Sequence, residues 1–323
     1  MNFNRVSSFQ IWNIFFIYSV FVSLAVQFVI LPIIFPQHHF GDGLLNGGDW
    51  VFYHTAAVQA SNEINLNGWS SWELRPSGFG IVGIVSAIYS FCDIYQPYVL
   101  IPLFSALHAI GALSIFMLIE NIGGNRNIAF YSSIPFLIFP SSLLWVSQIL
   151  KDSFAISGSL LVLYGLVSLF RVLKVEALRD QIKTQLFSVL FIMSGFLFIW
   201  LVRPYFIPIW LGYMLLVLFI LDILLIMSFL NKKVSVWLVV SILIVQLSLI
   251  FSIQVLRGKA VQDESSHLEF RGKAVQDESS HLEFRGKAVQ DESSHLEFRG
   301  KAVQDESSHL EFRGKAVQDE SSH

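Results

Sequence analysis

Cysteine occurs once, at Cys92. A single cysteine allows no intrachain disulfide and no cysteine-based metal site. Charge is scarce as well: Asp, Glu, Lys and Arg make up 14% of the 323 residues. Neither sign dominates. Residues 1–256 carry 11 Lys and Arg against 10 Asp and Glu, and residues 257–323 carry 10 against 14. No part is basic enough to point to nucleic acid. The abundant material is apolar. Hydrophobic residues reach 54%, Phe alone occurs 30 times, and mean hydropathy is +0.60. That composition excludes an ordinary soluble globule and indicates an integral membrane protein. The first ten residues, MNFNRVSSFQ, lead into an apolar run too long for the core of a cleaved signal peptide, so this run reads as a retained span.

A helix needs about 20 mostly apolar residues to span a bilayer. Seven stretches are read as spans: 11–35, 98–119, 128–146, 154–173, 186–202, 206–230 and 236–256. Pro135 and Pro140 predict kinks in the third. Between the first two lies a loop of about residues 37–96. Within it, 49–65 reads as a helix on the membrane surface, closed by Asn67-Gly68, with Trp69 and Trp72 suited to the interfacial belt. Residues 78–91 are apolar but short and contain Gly80 and Gly83, which fits a re-entrant or interfacial helix. The expected fold is all-α: a polytopic membrane helix bundle of seven spans, with surface and re-entrant helices in the first extracytoplasmic loop. Residues 1–256 form this module.

Cationic loops favour the cytoplasmic side. With 78–91 not crossing and a cytoplasmic N-terminus, Arg5, Arg126, Arg171, Lys174, Arg179, Lys183, Lys232 and Lys233 fall inside, against Arg75, Lys151 and Arg203 outside. An outside N-terminus with a crossing 78–91 gives the same balance, and the shortness of that segment decides between the two. Asp42, Asp49, Glu63, Glu73, Arg75, Lys151, Asp152 and Arg203 then share the extracytoplasmic boundary. Ionisable groups at such depth are usually paired or functional.

From Arg257 the unit RGKAVQDESSHLEF recurs unchanged, in four full copies and a fifth that ends at His323. True solenoid repeats drift. Identity at every position points instead to a recent in-frame expansion of the coding DNA, or to an error of sequence assembly. Residues 257–323 are expected to be disordered or a frayed helix, without chemistry.

The stretch 41–60, GDGLLNGGDWVFYHTAAVQA, is polar and Gly-rich between two apolar runs. If Asp49 opens a helix, Asp49, Tyr53 and Ala57 lie along one face and His54 on the next. Asp at a helix start also serves as a cap, so this spacing alone leaves both roles open. Further on come Arg75-Pro76 before Gly78, Lys151-Asp152 in the second outer loop, and Arg203-Pro204-Tyr205 in the third. In this order the motifs resemble those of the GT-C glycosyltransferases, on the side of the protein mannosyltransferases and the bacterial lipid A aminoarabinose transferase. The resemblance spans about residues 10–256, and its motifs are short.

What the resemblance implies is transfer of a sugar from a polyprenyl-phosphate carrier to a glycan, lipid or protein acceptor outside the membrane. Asp49 would be the base and Asp152 the second acid. Lys151, Arg203 and Arg75 would hold the leaving phosphate, with Tyr53, His54 and Asp42 as substrate contacts. Displacement would invert the sugar's configuration. Against this stand structural readings: Lys151 and Arg203 as snorkelling anchors, and Arg75 as a packing residue. No metal ligand set is assigned, although a divalent ion held by His38, His39 or His54 with Asp42 or Asp49 stays open. Two features depart from the family: Asp49 is followed by Trp50 rather than a second acid, and no further spans or soluble outer domain follow. A truncated module is the corresponding expectation. Two alternatives compete: a polymerase or ligase of lipid-linked surface polysaccharide, and a non-catalytic transporter or scaffold. A transporter should show inverted repeats meeting at mid-membrane, and no such symmetry is apparent. His108 and Asp222 fall inside spans and read as interhelical hydrogen-bonding residues.

Overall fold

A computed structural model describes residues 6–171 and 178–230, with scattered positions between 240 and 255. The chain divides into two units, 1–266 and 267–323, and the described residues all belong to the first. The repeat tail lies outside the described residues, as does about half of the seventh expected span.

Helix α1 (Ser8–Ala25) opens on a capping box. The Gln10 N–H donates to Ser7 Oγ at 3.2 Å, and the Ser7 N–H donates back to Gln10 Oε1 at 2.8 Å. The chain continues as a π-helical stretch, Val26–Ile34, with Pro32 inside it. Four further helices and their end turns match the expected second, fourth, fifth and sixth spans: α4 (Ile101–Asn121), α7 (Asp152–Leu169), α8 (Leu178–Val202) and α9 (Ile207–Leu230). Among the described residues, five stretches are long and apolar enough to cross a bilayer: Ser8–Ile34, Pro97–Asn121, Asp152–Leu169, Arg179–Val202 and Pro204–Met227. Their outward faces carry bare aromatics, Phe21 70% and Phe219 63% exposed. A belt of that kind is stable against hydrocarbon and not against water. The chain is an integral membrane protein.

The third expected span, 128–146, is not one helix. It is α5 (Arg126–Ile138) followed by α6 (Pro140–Ser147), bent by 70°. Pro140 drives the preceding Phe139 into extended backbone, φ -64° and ψ 132°. Its ring nitrogen has no proton to give, and Ser142 Oγ donates instead to the carbonyls of Phe136 and Phe139. Pro135 lies within α5 without ending it. The broken pair still runs the length of α1. Arg126 donates to the Val6 carbonyl at 2.8 Å, while at the far end Gln27 Nε2 donates to the Ser147 carbonyl at 2.7 Å.

Helix α8 starts at Leu178, earlier than the span expected from 186, because its charged first turns continue the helix beyond the apolar run. Helix α3 (Gly80–Cys92) has 13 residues. That is about 20 Å of helix against about 30 Å of hydrocarbon. It packs along α2 (Asp49–Asn67) and meets the end of α8. There Gly80 permits a close approach, since a Cβ on it would stand 1.7 Å from the Leu201 carbonyl oxygen. Helices α7 and α8 pair the same way through Gly158 and Gly195.

His108 and Asp222 make the interhelical bonds expected of them. Ser19 Oγ lies 2.8 Å from His108 Nδ1, and Gln246 Nε2 donates to Asp222 Oδ1 at 2.9 Å. One element departs from the all-α expectation: a two-stranded antiparallel hairpin, β1 (His39–Gly41) and β2 (Leu44–Leu45), in the first loop. Its turn is Gly41-Asp42-Gly43, all at positive φ. Asp-Gly is a hairpin signal in its own right.

Candidate functional site

The hairpin, α2, the start of α7 and the end of α8 meet at one end of the bundle. Helix α2 begins at Asp49, which meets the condition set by the spacing, and buries Tyr53, Ala57, Ser61 and Ile64 along one face. Tyr53 is 1% exposed. Its phenol donates to Asp49 Oδ2 at 3.3 Å. Burial is the main influence raising the phenol's pKa, and the Asp49 carboxylate adds to it. The phenol therefore stays protonated and keeps its hydrogen directed at Asp49.

The Lys151 ammonium lies 5.8 Å from the centre of the Tyr53 ring. The next residue, Asp152, opens α7, and its Oδ1 accepts from Arg203 at 2.6 Å. Both partners are mostly covered, with side chains 26% and 19% exposed. Arg203 follows the last turn of α8, where its N–H still donates to the Ile199 carbonyl. Its positive charge acts on Tyr53 in opposition to Asp49. Asp49, Lys151 and Arg203, from three distant parts of the chain, thus each act on the buried Tyr53 phenol or its ring, and Asp152 joins them through Arg203.

His54 and Asp42 form the flank. His54 Nδ1 lies 2.9 Å from Tyr89 Oη on α3. Burial lowers the His54 pKa, and the nearby Asp42 carboxylate works against that shift. Arg75 is placed differently. Its guanidinium covers the Trp200 ring at 4.4 Å, beside the Gly80–Leu201 contact. That position is a packing contact between the first loop and α8. His39 Nε2 accepts from the Gly43 N–H at 3.0 Å. Among the described residues, no three His, Cys, Asp or Glu side chains converge as a metal site.

Gln148 is a further residue of this end, outside the 49, 53, 57 spacing. Its side chain is 1% exposed, accepts from the Leu45 N–H at 2.9 Å and donates to the Gly43 carbonyl at 3.2 Å. This one amide ties the hairpin to the loop that carries Lys151 and Asp152. The available signal was a polar side chain in the brief break after an apolar helix. Gln27, from the π-helical stretch, is another. A Cβ on Gly43 would stand 2.7 Å from its Cβ, so that glycine also lets the hairpin sit against the first span.

Chemically, the cluster offers a carboxylate held by a neutral phenol, a second carboxylate paired with a guanidinium, and an ammonium near the phenol's ring. Compared with family models, with curated proteins and with solved structures, the sequence matches none.

Proposed function

We propose that the chain is a membrane glycosyltransferase that moves a sugar from a polyprenyl-phosphate carrier to a hydroxyl acceptor outside the membrane. The observation that carries this reading is the grouping of Asp49, Lys151 and Arg203 about Tyr53, with Asp152 paired to Arg203. In the proposed reaction Asp49 takes the acceptor proton as that oxygen bonds to the anomeric carbon. The bond from that carbon to the carrier phosphate breaks, and its electron pair leaves with the phosphate. Lys151 and Arg203 stabilise the anion so released. One displacement inverts the anomeric centre. Asp152 positions Arg203, and Tyr53 holds the Asp49 carboxylate in place.

The lipid carrier suits a cleft at a bundle end, since it approaches within the bilayer. In this reading the broken α5–α6 pair crosses once and 236–256 supplies a seventh span. The N-terminus is cytoplasmic and the Asp49 end extracytoplasmic. The position of Arg126, Arg171 and Lys183 at the ends away from Asp49 supports that orientation.

The test is turnover in proteoliposomes with a panel of radiolabelled polyprenyl-phosphate hexoses and pentoses. Wild-type protein is expected to consume at least one donor, and Asp49→Asn to lose at least about 100-fold in rate while keeping its melting temperature. Full transfer by a folded Asp49→Asn variant removes the assignment, and so does consumption of no donor by the wild type.

A further inference from the structure

At the opposite end of α7 and α8 lies a cavity of about 470 Å³. Met117 of α4 forms one wall, and the first turns of α8 form another. Its floor is the edge-on pair of Tyr164 and Phe191, with ring centres 4.9 Å apart. Among the described residues, two cations line it, Arg171 just beyond α7 and Lys183 on α8, against one acid, Asp180.

The lining is graded along the helix. Lys183, Phe187 and Phe191 follow at steps of four and so stack on one face of α8. The charge sits toward the helix end and the rings lie deeper. Phe187 is 61% exposed, so this face continues onto the apolar outer surface. Thr184 and Ser188 hydroxyls donate to their own helix, each at 2.8 Å. Arg171 spends one N–H on the Glu120 carbonyl at 3.5 Å. Among the described residues, the Arg171 guanidinium and the Lys183 ammonium are the cationic groups that line the cavity. Lys183 pairs with Asp180 at 3.9 Å, with both side chains more than half exposed.

We propose that this cavity binds an anionic phospholipid from the leaflet at that end of the bundle. The phosphodiester sits between Arg171 and Lys183, and an acyl chain lies along Met117, Phe187 and Phe191. A ligand with an anionic head and an apolar body matches the grading, whereas a soluble phosphate ester would leave the rings uncovered. Basic pockets between membrane helices recognise such headgroups, each cation strengthening binding about fivefold. The inference rests on the helix ends alone and is independent of the sugar-transfer reading.

The experiment is native mass spectrometry of the full chain in detergent, titrated with dioleoyl-phosphatidylglycerol, dioleoyl-phosphatidylcholine or free glycerol phosphate. Phosphatidylglycerol is expected to bind at least tenfold tighter than phosphatidylcholine. Arg171→Gln with Lys183→Gln should erase that preference, about 25-fold by the same scale, while Lys232→Gln with Lys233→Gln removes equal charge and preserves it. Asp180→Asn should tighten phosphatidylglycerol a few-fold, a gain that a misfolded protein cannot imitate. Equal binding of the two lipids overturns the proposal. It also fails if the preference survives in the Arg171 and Lys183 double variant, if Asp180→Asn brings no gain, or if glycerol phosphate competes as well as the intact lipid.

Discussion

The two ends of the α7–α8 pair hold their charges in opposite ways. At one end Arg203 and Asp152 stand 2.6 Å apart with side chains 19% and 26% exposed. At the other, Lys183 and Asp180 stand 3.9 Å apart with side chains 56% and 60% exposed. The first pair joins residues 51 apart in sequence. The second is an i,i+3 pair on one helix turn. A long-range pair in a covered setting has its geometry set by the packing around it, and losing one partner leaves a desolvated charge. A local, solvated pair is interchangeable with water. The difference separates a site whose directions are fixed from a patch that acts through charge alone.

Breaking the packing that fixes the first end should have the largest effect. Gly80→Ala puts a methyl group 1.7 Å from the Leu201 carbonyl oxygen, where backbone rather than a flexible side chain must move. Destabilisation of at least about 3 kcal/mol is expected, read as a large fall in melting temperature in detergent. Gly212→Ala is the control, with nothing within 4 Å of the added methyl. If both variants melt alike, α3 does not press on α8 as described.

The Arg203–Asp152 pair comes next. Asp152→Asn and Arg203→Gln should each cost about 1–3 kcal/mol, less than a fully buried pair and more than a surface one. The double variant should cost less than the two added together, and that coupling would be seen in a double-mutant cycle of denaturant or thermal unfolding. Additive losses would mean that the pair is no better fixed than Lys183–Asp180.

Much of this contrast was readable in the sequence, because it follows from period and length. The 49, 53, 57 spacing located the buried face of α2, and Tyr53 and Ala57 are indeed its core. The brevity of the segment around Gly80 and Gly83 set α3 apart from the spans. The grouping of Lys151, Asp152 and Arg203 followed from alternating topology. What was not readable needed contacts between distant parts of the chain. Nothing local to Gln148 shows that its amide bonds a hairpin more than a hundred residues earlier. Nor does an Arg-Pro dipeptide show that Arg75 lies on Trp200. Pro140 announced a kink, but neither its 70° angle nor the bonds that Ser142 Oγ donates to the Phe136 and Phe139 carbonyls follow from the proline alone.

A pH dependence should follow at the fixed end and be smaller than the loss of the ion pair. Burial holds the His54 pKa below the ordinary 6.5, with Asp42 opposing. As pH falls through 6.5 the unfolded chain takes up the proton first, so the folded state loses stability from there down to its own lower pKa. Above 6.5 the contribution is fully present. Melting curves from pH 7.5 to 5 should therefore fall less steeply for His54→Gln than for wild type. Equal slopes would mean that the imidazole is solvated, like the charges at the far end.

The smallest effect is expected at the solvated pair, Lys183 and Asp180. Asp180→Asn removes an ion pair whose atoms are 3.9 Å apart and more than half exposed. Water and salt already screen most of the attraction, and the long lysine side chain regains freedom when the pair is lost. Asp180 also stands in the first turn of α8, where a negative charge favours the helix dipole, so a few tenths of a kcal/mol remain at stake. The change in unfolding free energy should stay within about 0.5 kcal/mol and shrink further in high salt. A loss comparable to that of Asp152→Asn would mean that this end is as rigidly organised as the other, and its cations would then be directed groups rather than a diffuse field.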